Sequence, residues 1–139
     1  KMKLTGTEKQ VAWAEDIRKK YQMMMAKLDE AEKIMRDTTM TEEKVVDPIF
    51  GQEHIVKYYA SKMTDDLRAW IPQNCPFSPE PEKMVGHAKD ISWVGEREKQ
   101  YEGPNAGRFA QADYYKATRE NIEKALNTES SSKFWIENR

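Results

Sequence analysis

Cys75, His54 and His87 are the residues best suited by type to nucleophilic or metal chemistry, and their number limits both. A structural zinc needs three or four clustered ligands, and a cysteine nucleophile needs a base within hydrogen-bond reach, so one thiol and two scattered imidazoles make a poor start for either. Cys75 reads instead as a small residue in a proline-rich loop, and His54 as one more residue on a helix face. Asp65 and Asp66 are adjacent, which on a helix points their carboxylates in different directions and disfavours a shared acid–base site. Tyr58, Tyr59, Trp93, Tyr101, Tyr114 and Tyr115, interleaved with Lys57, Lys62, Arg97, Lys99, Arg108 and Lys116, are the ingredients of a single-strand nucleic-acid platform. Acids outnumber bases in the middle of the chain, however, and packing in the core and at its rim is the reading these rings favour. No phosphate-binding loop is present. The expectation is a non-enzyme without metal or cofactor.

The element that must position everything else is Thr7 to Asp37, an amphipathic stretch of about thirty residues, roughly 45 Å long as a helix. Thr7 and Gln10 form a capping box at its start. Ala14, Tyr21, Leu28 and Met35 alternate with Ile17, Met24 and Ala31 along one seam, widened by Val11 and Met25. Acid-before-base pairs four residues apart (Glu15/Lys19, Asp16/Lys20, Asp29/Lys33, Glu32/Arg36) line the wet faces, at about 0.2 to 0.5 kcal/mol each. The Ala- and Met-rich seam suits an intramolecular hairpin better than a regular zipper.

Asp47-Pro48, after the threonine-rich stretch 38–46, supplies an N-cap and a first-turn proline for a second helix. Its stripe is Ile55, Tyr59, Met63, Leu67 and Trp70, and Pro72 stops it. An antiparallel hairpin of these two helices is the economical arrangement. Residues 72–107 lose periodicity and are punctuated by prolines and glycines, with KDISWVG as a possible short strand. Asn105 is suited to cap a third helix running to about Asn127, with Phe109, Ala112, Tyr115, Thr118, Ile122 and Ala125 on one face. Ser130 to Ser132 offer caps for a short last helix, KFWIENR, whose Phe134, Trp135 and Ile136 must dock. The fold class expected is therefore mainly α, in a single helical domain over residues 1–139 with an irregular insert at about 72–107.

Formal net charge is −1, with 34% charged residues and a mean hydropathy of −0.93. Along the chain the balance is uneven: residues 1–36 carry nine Lys/Arg against six Asp/Glu, residues 37–103 eight against thirteen, and residues 104–139 six against five. None of these is the basic footprint of a duplex-DNA binder. No apolar run is long enough for a membrane span, and the opening KMKLTG lacks a signal-peptide core. A single cysteine excludes an internal disulfide. A cytoplasmic location, no membrane association and a monomer or weak homodimer are expected.

LTGTEKQVAWAEDIR (Leu4 to Arg18) and SSSKFWIENR (Ser130 to Arg139) resemble the opening and closing signatures, TEKQ-x-x-WAE-x-IR and S-x-FWI-[DE]-x-R, of small uncharacterised proteins of bacteria and their phages. The resemblance implies a prokaryotic or phage source, a bacterial host cell and an association of the two termini, and it brings no activity. The T-x-K-Q at the helix start is also similar to small helical modules appended to topoisomerases and other DNA enzymes. Physically, Trp13 lies off the main seam beside Gln10 and Ile17, where Phe134, Trp135 and Ile136 would give it an apolar partner. Lys9, Arg18, Glu15, Asn138 and Arg139 would gather round that contact, as a solvated rim or as a binding site.

Two functions follow as expectations. The first is a non-enzymatic interaction protein of phage or mobile-element origin that binds a host or phage protein, an inhibitor of host defence of the anti-CRISPR type being one form of it. Its candidate partner-binding residues are Lys9, Gln10, Trp13, Arg18, Trp135, Asn138 and Arg139. The alternative is a nucleic-acid-binding helical module using Lys9, Arg18, Lys19 and Lys20 on the first helix.

Overall fold

In a computed structural model, residues 2–71 and 91–139 are described. Their order is α1 (Glu8–Arg36), β1 (Met40–Val46), β2 (Glu53–Tyr59), α2 (Asp65–Trp70), α3 (Ile91–Glu98), α4 (Ala106–Thr128) and α5 (Ser132–Glu137). The protein is mainly helical, with one small antiparallel sheet of two strands among the described residues. Cys75, His87 and the proline-rich part of the insert lie outside the described residues.

Helix α1 starts as the sequence requires: the Thr7 hydroxyl accepts from the Gln10 N–H at 3.2 Å, and the Gln10 side chain accepts from the Thr7 N–H at 3.0 Å. Ala14, Ile17, Tyr21, Met24, Leu28 and Ala31 are buried along the expected seam. What covers it differs from the expected hairpin. The partner is α4, whose Ala110, Tyr114, Tyr115, Thr118, Ile122, Ala125 and Leu126 are buried. The two helices run antiparallel, since Arg108 of α4 reaches the Ile34 carbonyl while Leu126 accepts from the Met2 N–H at the other end. Helix α5 closes the N-terminal end. Thr5 pairs with Ser131 in a short parallel bridge, and Trp135 buries its ring against Tyr21, with centroids 5.6 Å apart.

Beside the apolar seam runs a ladder of charges. The Arg119 guanidinium donates to Asp29 at 2.5 Å and to Glu32 at 2.9 Å; Arg36 donates to Glu32 at 2.8 Å and to Asp113 at 2.9 Å. Asp113 also accepts from Arg97 at 2.8 Å and from the Tyr101 hydroxyl at 2.5 Å, which ties α3 and the following loop to α4. Burial pushes the Asp113 carboxyl up, but hydrogen bonds from Tyr101, Arg97 and Arg36 outweigh it and hold the group below the usual carboxylate range. Of the expected pairs within α1, Lys33–Asp29 and Arg36–Glu32 form, whereas Glu15 turns to Arg18.

The long second helix is corrected to a β-hairpin followed by the short α2. Asp47 makes the bond expected of an N-cap, its carboxylate accepting from the Ile49 N–H at 2.9 Å. Gly51 then takes φ +69, donates back to the Asp47 carbonyl and reverses the chain after one turn. The segments on either side, MTEEKVV and EHIVKYY, are rich in β-branched and aromatic residues and pair as strands. Leu67 is buried and α2 touches α1, its Asp66 accepting from Lys27 at 3.2 Å, but Ile55 points to solvent, so the expected lengthwise stripe from Ile55 to Leu67 is reduced to α2 and the main cover of α1 is α4. The suggested strand in KDISWVG is a helix from Ile91 onward.

With Leu28 fully buried, Leu28→Ala should lower unfolding free energy by about 2 to 5 kcal/mol in urea titration. Met23→Ala on the wet face of the same helix should stay within about 0.5 kcal/mol. Equal losses for the two would contradict this packing.

Candidate protein-docking arm

The hairpin leaves the helical body at the end of α1, and five side chains fix its root: Asp37, Ser61, Tyr59, Asn105 and Arg108. Asp37 follows the last turn of α1; its carboxylate accepts from the Thr39 N–H at 3.0 Å and from the Ser61 hydroxyl at 2.5 Å, clasping the residues that enter and leave the hairpin. Those bonds, with Ser61 foremost, hold the Asp37 carboxyl down to about 2. Arg108, in the first turn of α4, donates to the carbonyls of Ile34 at 2.7 Å and Asp37 at 3.0 Å, adding at Ile34 to the longer bond, 3.3 Å, that this carbonyl accepts from the Asp37 N–H. Its guanidinium also lies 3.7 Å from the centroid of the Tyr59 ring. The Tyr59 hydroxyl donates to Asn105 at 2.6 Å. Asn105 therefore precedes α4 as expected, but its side chain makes no cap bond because it serves the hairpin root.

Beyond the root the ribbon stands in water. Each strand has seven residues, about 23 Å when extended. The register pairs Met40 with Tyr59, Glu42 with Lys57, Lys44 with Ile55 and Val46 with Glu53 on one face, and Thr41 with Tyr58, Glu43 with Val56 and Val45 with His54 on the other. Lys44–Glu53 at 3.0 Å and Lys57–Glu42 at 3.6 Å brace the first face, and Lys62 covers the Tyr58 ring at 4.0 Å on the second. No other strand pairs with either edge among the described residues. At the tip Ile49 is 80% and Phe50 78% exposed, and Val45, Val46, Ile55 and Val56 are exposed along the ribbon. Four acids (Glu42, Glu43, Asp47, Glu53) against two lysines (Lys44, Lys57) leave the arm acidic.

The residues singled out at the termini are brought together only in part. Trp135 is fully buried, its indole N–H donating to the Glu129 carbonyl at 3.2 Å. Trp13 is not its partner in the core: it is 48% exposed, with the Arg139 guanidinium 4.8 Å from its ring centroid. Arg18 is 1% exposed; it donates to the Met2 carbonyl at 2.6 Å and stands 5.9 Å from the Trp135 ring, closed off from any phosphate or partner in solvent. Asn138 accepts from the Tyr21 hydroxyl through its main-chain carbonyl and donates its side-chain amide to Phe134. Lys9, Gln10, Lys19 and Lys20 are exposed on α1. The termini thus form a clasp whose inner members are structural.

A shallow cleft of about 180 Å³ lies among Trp93, Arg97, Asp113, Lys116, Ala117 and Glu120, but its central carboxylate is already saturated by Arg36, Arg97 and Tyr101. Among the described residues no group of three His, Cys, Asp or Glu converges as metal ligands would, and no helix is long and apolar enough to cross a membrane. Ile55, Tyr59 and Met63 also fit a helical stripe, which hides the arm in the sequence. The signal that finds it is local: two β-rich heptapeptides flanking DPIFG. No family model, curated protein or solved structure matches the chain.

The clasp at the root has a pH signature. A carboxylate held near 2 in the folded protein gives stability that is complete above its ordinary value of about 4 and is lost as pH falls from there toward 2. The Thr39 amide resonance should therefore titrate with a midpoint near 2. A midpoint near 4 would mean that Asp37 does not hold the root.

Proposed function

We propose that this chain is a non-enzymatic binding module that seats its hairpin arm, tip first, in an apolar socket with a basic rim on another protein. One observation carries the reading: Ile49 and Phe50, two large apolar side chains, stand almost wholly in water at the end of a ribbon that a set of buried or half-buried bonds holds in place. Burying them is worth about 1.5 to 3 kcal/mol each, enough for a specific anchor. The acidic balance of the arm supplies the complement to a basic rim and steers encounter. A root fixed in advance spares the ordering cost that a floppy loop incurs on binding.

The resemblance of the two termini to small bacterial and phage proteins makes the partner a host or phage protein, with inhibition of a host defence system as the form such binding would take. The nucleic-acid reading retains Lys9, Lys19 and Lys20 on the surface of α1, without Arg18.

The test is capture of partners from host lysate on immobilised protein, identification by mass spectrometry, and titration of the purified partner. Changing Ile49 and Phe50 together to Ser should weaken binding by about 30-fold or more while leaving the melting temperature unchanged. Reversing Lys9, Lys19 and Lys20 to Glu should have little effect. Binding that survives the first change, is lost with the second and falls steeply with salt would overturn the docking arm in favour of nucleic acid.

A further inference from the structure

The parity of the hairpin determines which of its main-chain groups are free. Asp47 donates to the Gln52 carbonyl and Ala60 donates to the Thr39 carbonyl, so the ladder between the strands uses the residues in step with these: Thr41, Glu43 and Val45 on β1, and His54, Val56 and Tyr58 on β2. The N–H and C=O groups of Glu53, Ile55 and Lys57 therefore point away from β1, along an edge with no strand beside it among the described residues. A two-stranded ribbon tied at its root, as this one is, gains further when more strands join it, since three or more strands stabilise one another.

We infer that β2 pairs edge to edge with β2 of a second copy of this chain, antiparallel about a two-fold axis at Ile55, to give a continuous four-stranded sheet. That register sets Ile55 against Ile55 of the second copy, and Glu53 against Lys57 in both directions. All three positions belong to the set whose main-chain groups point outward, so each facing pair exchanges two hydrogen bonds. On the same face, Glu42 already contacts Lys57, and the row Glu53–Lys57–Glu42 alternates in sign across the junction. Ile55, 66% exposed in the single chain, finds its apolar partner in its own copy. On the other face His54 meets Val56, without like charges opposed.

Other pairings are poorer. Sliding β2 by two residues sets Ile55 against Glu53 or Lys57 and undoes the charge match. Sliding by one offers no free main-chain groups. Pairing β1 with its own copy matches Glu42 to Lys44 but forces Glu43 against Glu43, and like charges directly opposite are destabilising. The charges on the β2 edge thus repel foreign strands and fit their own. The two tips lie at opposite ends of the four-stranded sheet, so this pairing is independent of what Ile49 and Phe50 bind.

Sedimentation equilibrium up to about 1 mM tests it. The unmodified protein should dimerise. Glu53→Lys and Lys57→Glu each also set like charges within the hairpin, beside Lys44 or opposite Glu42, a small cost on so exposed a face, and protection of the inner ladder amides verifies that the arm of each variant stays folded. Each alone should weaken the dimer about tenfold or more, since like charges then face one another twice. An equimolar mixture of the two variants should restore it, because every facing pair is again opposite in sign. Ile55→Pro removes only an outward-pointing N–H and should give a monomer whose inner ladder amides stay protected. A protein that stays monomeric over the whole range, single-charge variants that dimerise like the parent, or a mixture no stronger than its components would each overturn the pairing.

Discussion

Arg119, held by Asp29 and Glu32, and Arg36, held by Glu32 and Asp113, fix how far α1 can slide along α4, and every other feature of the structure depends on that register. An apolar seam rich in alanine and methionine tolerates small shifts, because Met repacks and Ala offers no knob to lock. Guanidinium–carboxylate pairs are directional and do not. Individually such half-exposed pairs contribute little stability; as an alternating chain that crosses from one helix to the other, they select one alignment out of several of similar hydrophobic content. The consequence is that the last turn of α1 meets the first turn of α4, with Arg108 within reach of the Ile34 and Asp37 carbonyls.

From that meeting point the arm follows. Its strands bury almost no side chain of their own beyond Tyr58 and Tyr59, so the body holds it through polar bonds at one end. Such an arrangement is wasteful if stability is the only requirement, since the same β-branched residues laid on the helices would add to the core. It is the arrangement expected of an element whose apolar surface is completed by something else, with a rigid base setting direction and a hydrophobic end making contact. The clasp at the two termini does a separate job: Arg18, Leu4 and Trp135 are buried there, which joins the ends of the described chain to the far end of the α1–α4 pair.

How much of this could be read from the chain depended on whether the local signal had one meaning. The capping box at Thr7 and Gln10, the seven-residue rhythm from Ala14 to Ala31 and the late FWI triplet each have a single physical reading, and α1 and the docked tail are legible in the sequence. Asp47-Pro48 has two, because the same carboxylate-to-amide bond begins a helix and a tight turn; Gly51, four residues on, decides between them by adopting positive φ. Read as a helix start, that turn lets Ile55, Tyr59 and Met63 complete a false stripe that hides the arm. The partner of α1 was misassigned for the same reason. Arg18 was invisible as a core residue because a guanidinium one position from a buried isoleucine looks like the edge of a stripe, and only the fold of the terminal segment over it, through the Met2 carbonyl, takes it out of water.

The central claim is that the arm is built and aimed before any partner arrives. Backbone amide relaxation of the free protein, at a concentration low enough to keep it monomeric, tests this most directly. The account predicts order parameters near 0.85 along both strands, comparable with α1 and α4, with strand-like chemical shifts from Met40 to Tyr59 and reduced order confined to the turn at 48–51. Order parameters below about 0.6 with random-coil shifts across both strands would contradict it, and would make the arm a segment that acquires its structure only on binding.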